Sequence, residues 1–227
     1  MNIVMLGPFG LHPKGTMHAR ALPAARALAA RGHEVTVLMP PWHTPGESGR
    51  VWVEPDTGVT CRYVSLAGLG HPGIGHFEVA ARMARGALAL RPDVVHAFKP
   101  KAYSGLAAGL IRAASRLRPG PTLVMDSDDW EGTGGWNDLE PYSRLQRAVF
   151  ARQERWGMIH SQALTVASVH LQTLALAAGV PGDRVTYLPN ALGALPPEKP
   201  HRHGAPAIGP AVHPERGPAL LLYTRFF

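Results

Sequence analysis

Short runs of aliphatic and β-branched residues recur along the 227-residue chain, separated by stretches in which apolar residues return every three or four positions. The short runs predict strands at NIVMLG (2–7), EVTVLMP (34–40), VTCRYV (59–64), DVVHAF (93–98), TLVMDS (122–127), LTVAS (164–168) and VTYLP (185–189). Several are continuously apolar, as parallel strands covered on both faces require. Between them, Met17, Ala21, Ala25, Leu28 and Ala29 share one helical face, as do Leu106, Leu110, Ala113 and Leu117. A third stripe, Leu171, Leu174, Ala175 and Ala178, ends at Gly179 with Pro181 beyond it. Strands alternating with helices predict an α/β fold, a doubly wound, mostly parallel sheet of about seven strands.

Two longer loops interrupt the alternation, residues 41–58 after the second strand and 66–76 after the third. Each is either a wall of a ligand crevice or a surface insertion. From Pro189 to Pro218 prolines crowd the chain, so 193–218 reads as a linker between a first domain, 1–192, and the apolar run ALLLYTRFF at 219–227. That run has the pattern of a strand opening another domain, and it is expected to make few contacts with the first. His201, His203 and His213 in the linker have no cysteine or carboxylate cluster beside them to complete a metal site.

Composition changes this picture little. The formal net charge is +7 and Arg outnumbers Lys. No basic block and no basic–aromatic ladder accompanies that charge, so no nucleic-acid partner is expected; phosphate groups or an anionic membrane surface remain as attractions. The first residues, MNIVMLGPFG, lack a basic start and turn after a few apolar residues, unlike a signal peptide. No run approaches the roughly 20 apolar residues of a membrane span. The single cysteine, Cys61, fits a reducing compartment. The expected location is the cytoplasm, with peripheral association at the inner face of the membrane as an option.

Candidate chemistry gathers after three strands. GPFGLHPKGTMHAR follows the first, with Gly7, Gly10 and Gly15 between a strand and a helix opening near Thr16. Free backbone N–H groups at a helix start, with Lys14 nearby, suit a phosphate. The spacing is not that of a P-loop, because Lys14 precedes Gly15, nor of a dinucleotide fingerprint, because EVTVLMPPW carries no terminal carboxylate. After the fourth strand come His96, Lys99 and Lys101, which either face the crevice or, for His96, sit satisfied in the core. After the fifth come Asp126, Ser127, Asp128, Asp129 and Glu131, whose carboxylates could hold a divalent metal, accept from ligand hydroxyls or act as a base, or cap the loop backbone. Ser168 is placed to cap the helix that follows it, and no nucleophile elbow surrounds it.

Three stretches together resemble the N-terminal half of family 4 glycosyltransferases: IVMLGPFGLHPKGT…ARALPAARALAARGHEVTVLMP, RPDVVHAFKP and LTVASVHLQTLALAAGVPGDRVTYLPNA. The resemblance spans nearly the whole chain and implies a Rossmann-like domain, one half of a GT-B fold. It implies transfer of a sugar from a nucleotide-sugar co-substrate to a sugar, lipid or small-molecule acceptor, with retention and without a cofactor or essential metal. Gly10, Lys14, Gly15 and Thr16 would form the loop facing the donor diphosphate. His96, Asp126 and Asp128 would be the catalytic candidates, with Lys99, Lys101, Asp129 and Asn190 lining the acceptor side. Phe98 stands where family members carry a histidine near the reacting sugar, and Asn190-Ala191 replaces the usual Asn-Gly. The resemblance further implies a donor-binding domain beginning at 219–227, without which these residues would not catalyse transfer. A non-catalytic glycan-binding module and half of a nucleotide-sugar epimerase are the alternatives.

Overall fold

A computed structural model of the chain describes residues 1–12, 15–69, 75–117 and 119–190. The linker and the run 219–227 lie outside the described residues, as does Lys14. The strands are β1 (Asn2–Leu6), β2 (Glu34–Met39), β3 (Val51–Val53), β4 (Thr60–Tyr63), β5 (Val94–Phe98), β6 (Thr122–Ser127), β7 (Ala163–Val166) and β8 (Val185–Tyr187). They form one sheet in the order β3-β4-β2-β1-β5-β6-β7-β8. Every pairing is parallel except β3 with β4. The helices are α1 (Leu22–Ala29), α2 (Gly75–Ala89), α3 (Ala102–Ala114), α4 (Trp136–Leu139), α5 (Arg144–His160) and α6 (Val169–Ala177). A π-helical turn, Met17–Ala21, leads into α1.

β1 shows why the sheet is buried on both sides. Ile3 and Met5 join one apolar cluster with Met17, Ala21, Ala25 and Phe98, while Val4 and Leu6 join the other with Met83, Val95 and Ile111. A two-residue period puts neighbours on opposite faces, so a strand covered twice must be apolar throughout. Each such side chain stabilises the fold by about 1.5–3 kcal/mol through burial.

The seven predicted strands are all present, and an eighth lies in the predicted loop 41–58. β3 pairs antiparallel with β4 at the sheet edge, with Val51 opposite Arg62 and Val53 opposite Thr60. It is three residues long, and Trp52 packs on Tyr63 with ring centroids 5.2 Å apart. In the second long loop, α2 has already begun at Gly75.

The stripe predicted for α3 is corrected. Leu110 and Leu117 are exposed, and the face against the sheet is Ser104, Ala107, Ala108 and Ile111. Small residues let α3 lie close to the strands, which leaves its leucines outside. Leu106 and Leu110 instead line an apolar groove of about 400 Å³ with Phe77, Val149 and Trp156 from α2 and α5. The other two stripes face the core as predicted, with Met17, Ala21, Ala25, Leu171 and Ala175 buried. Ser168 caps α6 by accepting from the Leu171 N–H at 3.1 Å, and Gly179 takes φ +93° just beyond the helix. Among the described residues no helix is long and apolar enough to cross a membrane.

Candidate functional site

Parallel strands bring their carboxyl ends to one edge of the sheet. From β1 the chain proceeds outward through β2 and β4, then returns to β5 on the other side of β1 and proceeds through β6, β7 and β8. The loops after β1 and β5 therefore diverge, and the gap between them is where open α/β sheets hold ligands.

The loop after β1 is shaped by glycines in close quarters. A Cβ on Gly7 would sit 2.8 Å from the Met17 sulfur, and one on Gly10 would sit 3.1 Å from the Tyr63 ring. Tyr63 also accepts from the Leu11 N–H at 3.2 Å, pinning the loop to β4. Gly15 differs, since no atom of the described residues lies within 4 Å of its Cβ position. Its carbonyl accepts from Ala19 N–H at 2.7 Å, so the first helical turn opens there with backbone on an unobstructed side.

Beneath this loop Arg20 meets Asp126 in a fork. Nε donates to Oδ2 at 2.6 Å and Nη2 to Oδ1 at 2.7 Å, with side-chain exposures of 5% and 0%. The same guanidinium donates to Leu188 O at 2.9 Å and Asn190 Oδ1 at 3.0 Å, tying the end of β8 to the start of the first helix. Thr165 donates a short hydrogen bond to Asp126 and lies 3.3 Å from His96 Nε2. Burial, opposed in part by Asp126, lowers the His96 pKa, so its imidazole is neutral at pH 7. Its ring stacks on Phe98, which is buried.

A second cluster sits where β5 and β6 end. Lys99 Nζ lies 3.2 Å from Asp128, 2.8 Å from Asp129 and 2.9 Å from Glu131. Burial opposes the Lys99 charge, but these three carboxylates outweigh it and raise the pKa, keeping the ammonium charged. Lys101 pairs with Glu131 and lies 4.6 Å from the Tyr142 ring centroid. Thr16 donates to Asp128 at 3.1 Å, joining the glycine loop to this cluster. Burial raises the Asp128 pKa, and Lys99 only partly offsets it. Deepest is Glu154 of α5, with zero exposure; its Oε1 accepts from Ser127 at 3.3 Å and its Oε2 has no hydrogen-bond partner among the described residues. Burial, with Glu131 nearby, pushes its carboxyl up to about 8.

The backbone here is strained to make room. Lys99 and Ala102 take φ +57° and +52°, a region that non-glycine residues occupy at some cost. Pro100 between them lies so close to α3 and α5 that a Cβ on Gly105 would sit 2.8 Å from its carbonyl and one on Gly157 2.5 Å from its side chain.

Sequence-predicted residues thus converge, in two connected groups. Thr16, Lys99, Lys101, Asp128 and Asp129 form one, and His96, Asp126 and Asn190 surround Arg20 in the other. Asp126 has no exposed surface; Asp129, with 45% of its side chain exposed, is the most accessible carboxylate of the set. Both described lysines are matched by carboxylates. Glu131, singled out with the aspartates in the sequence, joins the lysine cluster; sequence reading missed Arg20, Thr165 and Glu154. It also missed an aromatic group, Trp42, His76 and Tyr103, whose ring centroids are 4.6, 5.7 and 5.8 Å apart. A separate cavity of about 510 Å³, lined in part by Arg91, Asp93 and Ser115, opens at the amino ends of β5 and β6, away from the crevice.

No curated protein sequence matches the chain. Among solved structures, a sucrose-phosphate synthase of Thermosynechococcus elongatus aligns with a TM-score of 0.55 at 12% identity, covering 84% of this chain and 90% of that one. The UDP-GlcNAc 2-epimerase of Methanocaldococcus jannaschii aligns at 0.52 and 15% identity over 84% of this chain and 46% of its own. Arabidopsis thaliana UGT89C1, solved with UDP-L-rhamnose, aligns at 0.53 and 12% identity over 86% and 53%. These likenesses show the fold, and the chain spans about half the length of the last two. The profile of the glycosyl transferase 4-like domain matches residues 15–191, the greater part of the chain: the chain belongs to that family.

Proposed function

We propose that the chain is the acceptor-side half of a retaining glycosyltransferase, moving a sugar from a nucleotide-sugar donor onto an acceptor hydroxyl. One observation carries this reading beyond family membership: the backbone at Gly15 is open, at a helix start, at the point where strand order reverses. A diphosphate leaving group develops charge as the glycosidic bond breaks, and preformed N–H donors stabilise that charge without rearrangement. The proteins of like fold include one solved with UDP-L-rhamnose and one named for UDP-GlcNAc, which fits a nucleotide-sugar donor.

In this scheme Gly10, Lys14, Gly15 and Thr16 form the diphosphate loop. Asp129 is the carboxylate an acceptor hydroxyl can approach. Asp128, Asp126 and His96 lie behind it and hold Thr16, Arg20 and Thr165 in place, while Lys99 and Lys101 fix the acidic loop and Asn190 anchors the end of β8.

The test exploits the space at Gly15. A Cβ there has no described atom within 4 Å, so Gly15→Val is expected to change the melting temperature little while obstructing an approaching ligand. Nucleoside diphosphate release from UDP- and GDP-sugars is measured with acceptor present, using the chain paired with a donor-binding half. We expect Gly15→Val to lower transfer at least tenfold, about 1.4 kcal/mol of transition-state stabilisation. Unaltered transfer would remove this loop from the mechanism, and interconversion of nucleotide-sugars without acceptor would favour the epimerase alternative.

A further inference from the structure

Trp42 follows β2 by three residues, and Tyr103 lies in the first turn of α3, after β5. Because β1 separates β2 from β5 in the sheet, a contact between these two rings passes over the carboxyl end of β1. His76, in the first turn of α2, completes the group and bonds through Nδ1 to the Tyr103 hydroxyl at 2.7 Å. Three separate segments thus spend aromatic residues on one spot, beside the point where strand order reverses.

The group is not ordinary core. Tyr103 is buried, but Trp42 keeps 38% of its surface open and His76 is exposed. The hydrogen bond to Tyr103 occupies only Nδ1 of His76, leaving Nε2 free of it. An open indole fixed by neighbouring rings, with a polar edge beside it, combines an apolar platform with directional hydrogen bonding. Its chemical complement is a ring with an apolar C–H face and hydroxyls around its rim.

We propose that Trp42, His76 and Tyr103 form a stacking subsite for a pyranose ring of a carbohydrate acceptor, with Trp42 under the ring and His76 Nε2 on a hydroxyl. This rests on the glycosyltransferase reading for the word acceptor, and names the acceptor's class. A lipid acceptor without a sugar at this position would use the apolar groove between α2, α3 and α5 instead and leave Trp42 untouched.

The chain has five tryptophans, so 5-fluorotryptophan labelling gives one fluorine NMR signal for each, with Trp42→Phe assigning the one that matters. The labelled chain is titrated with methyl α-glucoside, methyl α-mannoside and methyl N-acetylglucosaminide, with dodecyl phosphate as the apolar control. We expect at least one glycoside to shift the Trp42 signal saturably, and Trp42→Ala to weaken its Kd at least tenfold by calorimetry while the chain remains folded at the assay temperature. Tyr103→Phe, which removes only the hydroxyl that orients His76, is expected to weaken binding several-fold. Loss of binding in Trp42→Ala supports the subsite whether or not transfer is detected. No Trp42 shift with any glycoside, a shift with dodecyl phosphate alone, or equal glycoside affinity in Trp42→Ala overturns it. Transfer whose acceptor KM ignores Trp42→Ala also overturns it, while leaving the transfer reading intact.

Discussion

Replacing Arg20 with alanine would leave the Asp126 carboxylate fully buried, with the Thr165 hydroxyl as its remaining side-chain donor among the contacts described. Removing one partner of a buried pair costs about 3–5 kcal/mol, because the surviving charge is uncompensated. We therefore expect urea denaturation of Arg20→Ala to show a loss of that size, and Arg20→Lys, which cannot make the fork, to recover only part of it. Glu154 poses the opposite problem. Its carboxyl titrates near 8 in the fold against an ordinary 4.5, so at neutral pH the folded chain holds a proton that the unfolded chain has released. The stability this proton confers is full below pH 4.5 and is lost as pH rises to about 8. The unfolding free energy of the native chain should fall across that window, and that of Glu154→Gln should fall less by about 2–4 kcal/mol in total. Neither residue was legible in the sequence: Arg20 reads as a solvated helix charge, and Asp126 lies 106 residues away along the chain. Asp126 and His96 were legible as positions but not as a pair sharing Thr165, since that pairing exists only across three strands.

At the scale of elements, the turn from β5 into α3 sets how closely two helices approach. Pro100 fills the space that side chains on Gly105 and Gly157 would need. Gly157→Ala should push α5 from its seat and destabilise the chain by about 1–3 kcal/mol by thermal melting, even though alanine is the better helix former. Leu117→Ser, on the stripe the sequence suggested was buried, should change stability by about 0.5 kcal/mol or less. That stripe misled because α3 carries two apolar faces, and the one with smaller residues packs more tightly. The strands were legible because double coverage makes them continuously apolar. β3 was not, because three residues between Gly49 and Pro55 carry too short an alternation to stand out. α2 was legible in principle, with Val79, Ala80, Met83, Ala84 and Ala87 at helical spacing and all buried.

For the molecule as a whole, the sheet order dictates a gradient of stability. β1 and β5 are paired on both sides and covered by both apolar clusters, whereas β3 and β8 each pair once and have exposed residues. Amide hydrogen exchange should be slowest in β1, β2, β5 and β6 and fastest at β3 and β8, with protection falling outward from the centre. Faster exchange in β1 than in β8 would contradict this order. The crevice lies over the strands expected to be the most protected, so the candidate site has the most stable part of the sheet as its floor.

The central place of β1 also has a consequence in time. It leaves the ribosome before the other strands of this sheet, yet its partner on one side, β5, pairs Leu6 with Ala97, roughly ninety residues later. At synthesis rates of about 5–20 residues per second, the open edge of β1 waits roughly 5–20 seconds for β5. During that interval an apolar strand with unpaired backbone is available to any other nascent chain, so slower reading of the middle of the message is expected to lower the yield of soluble protein.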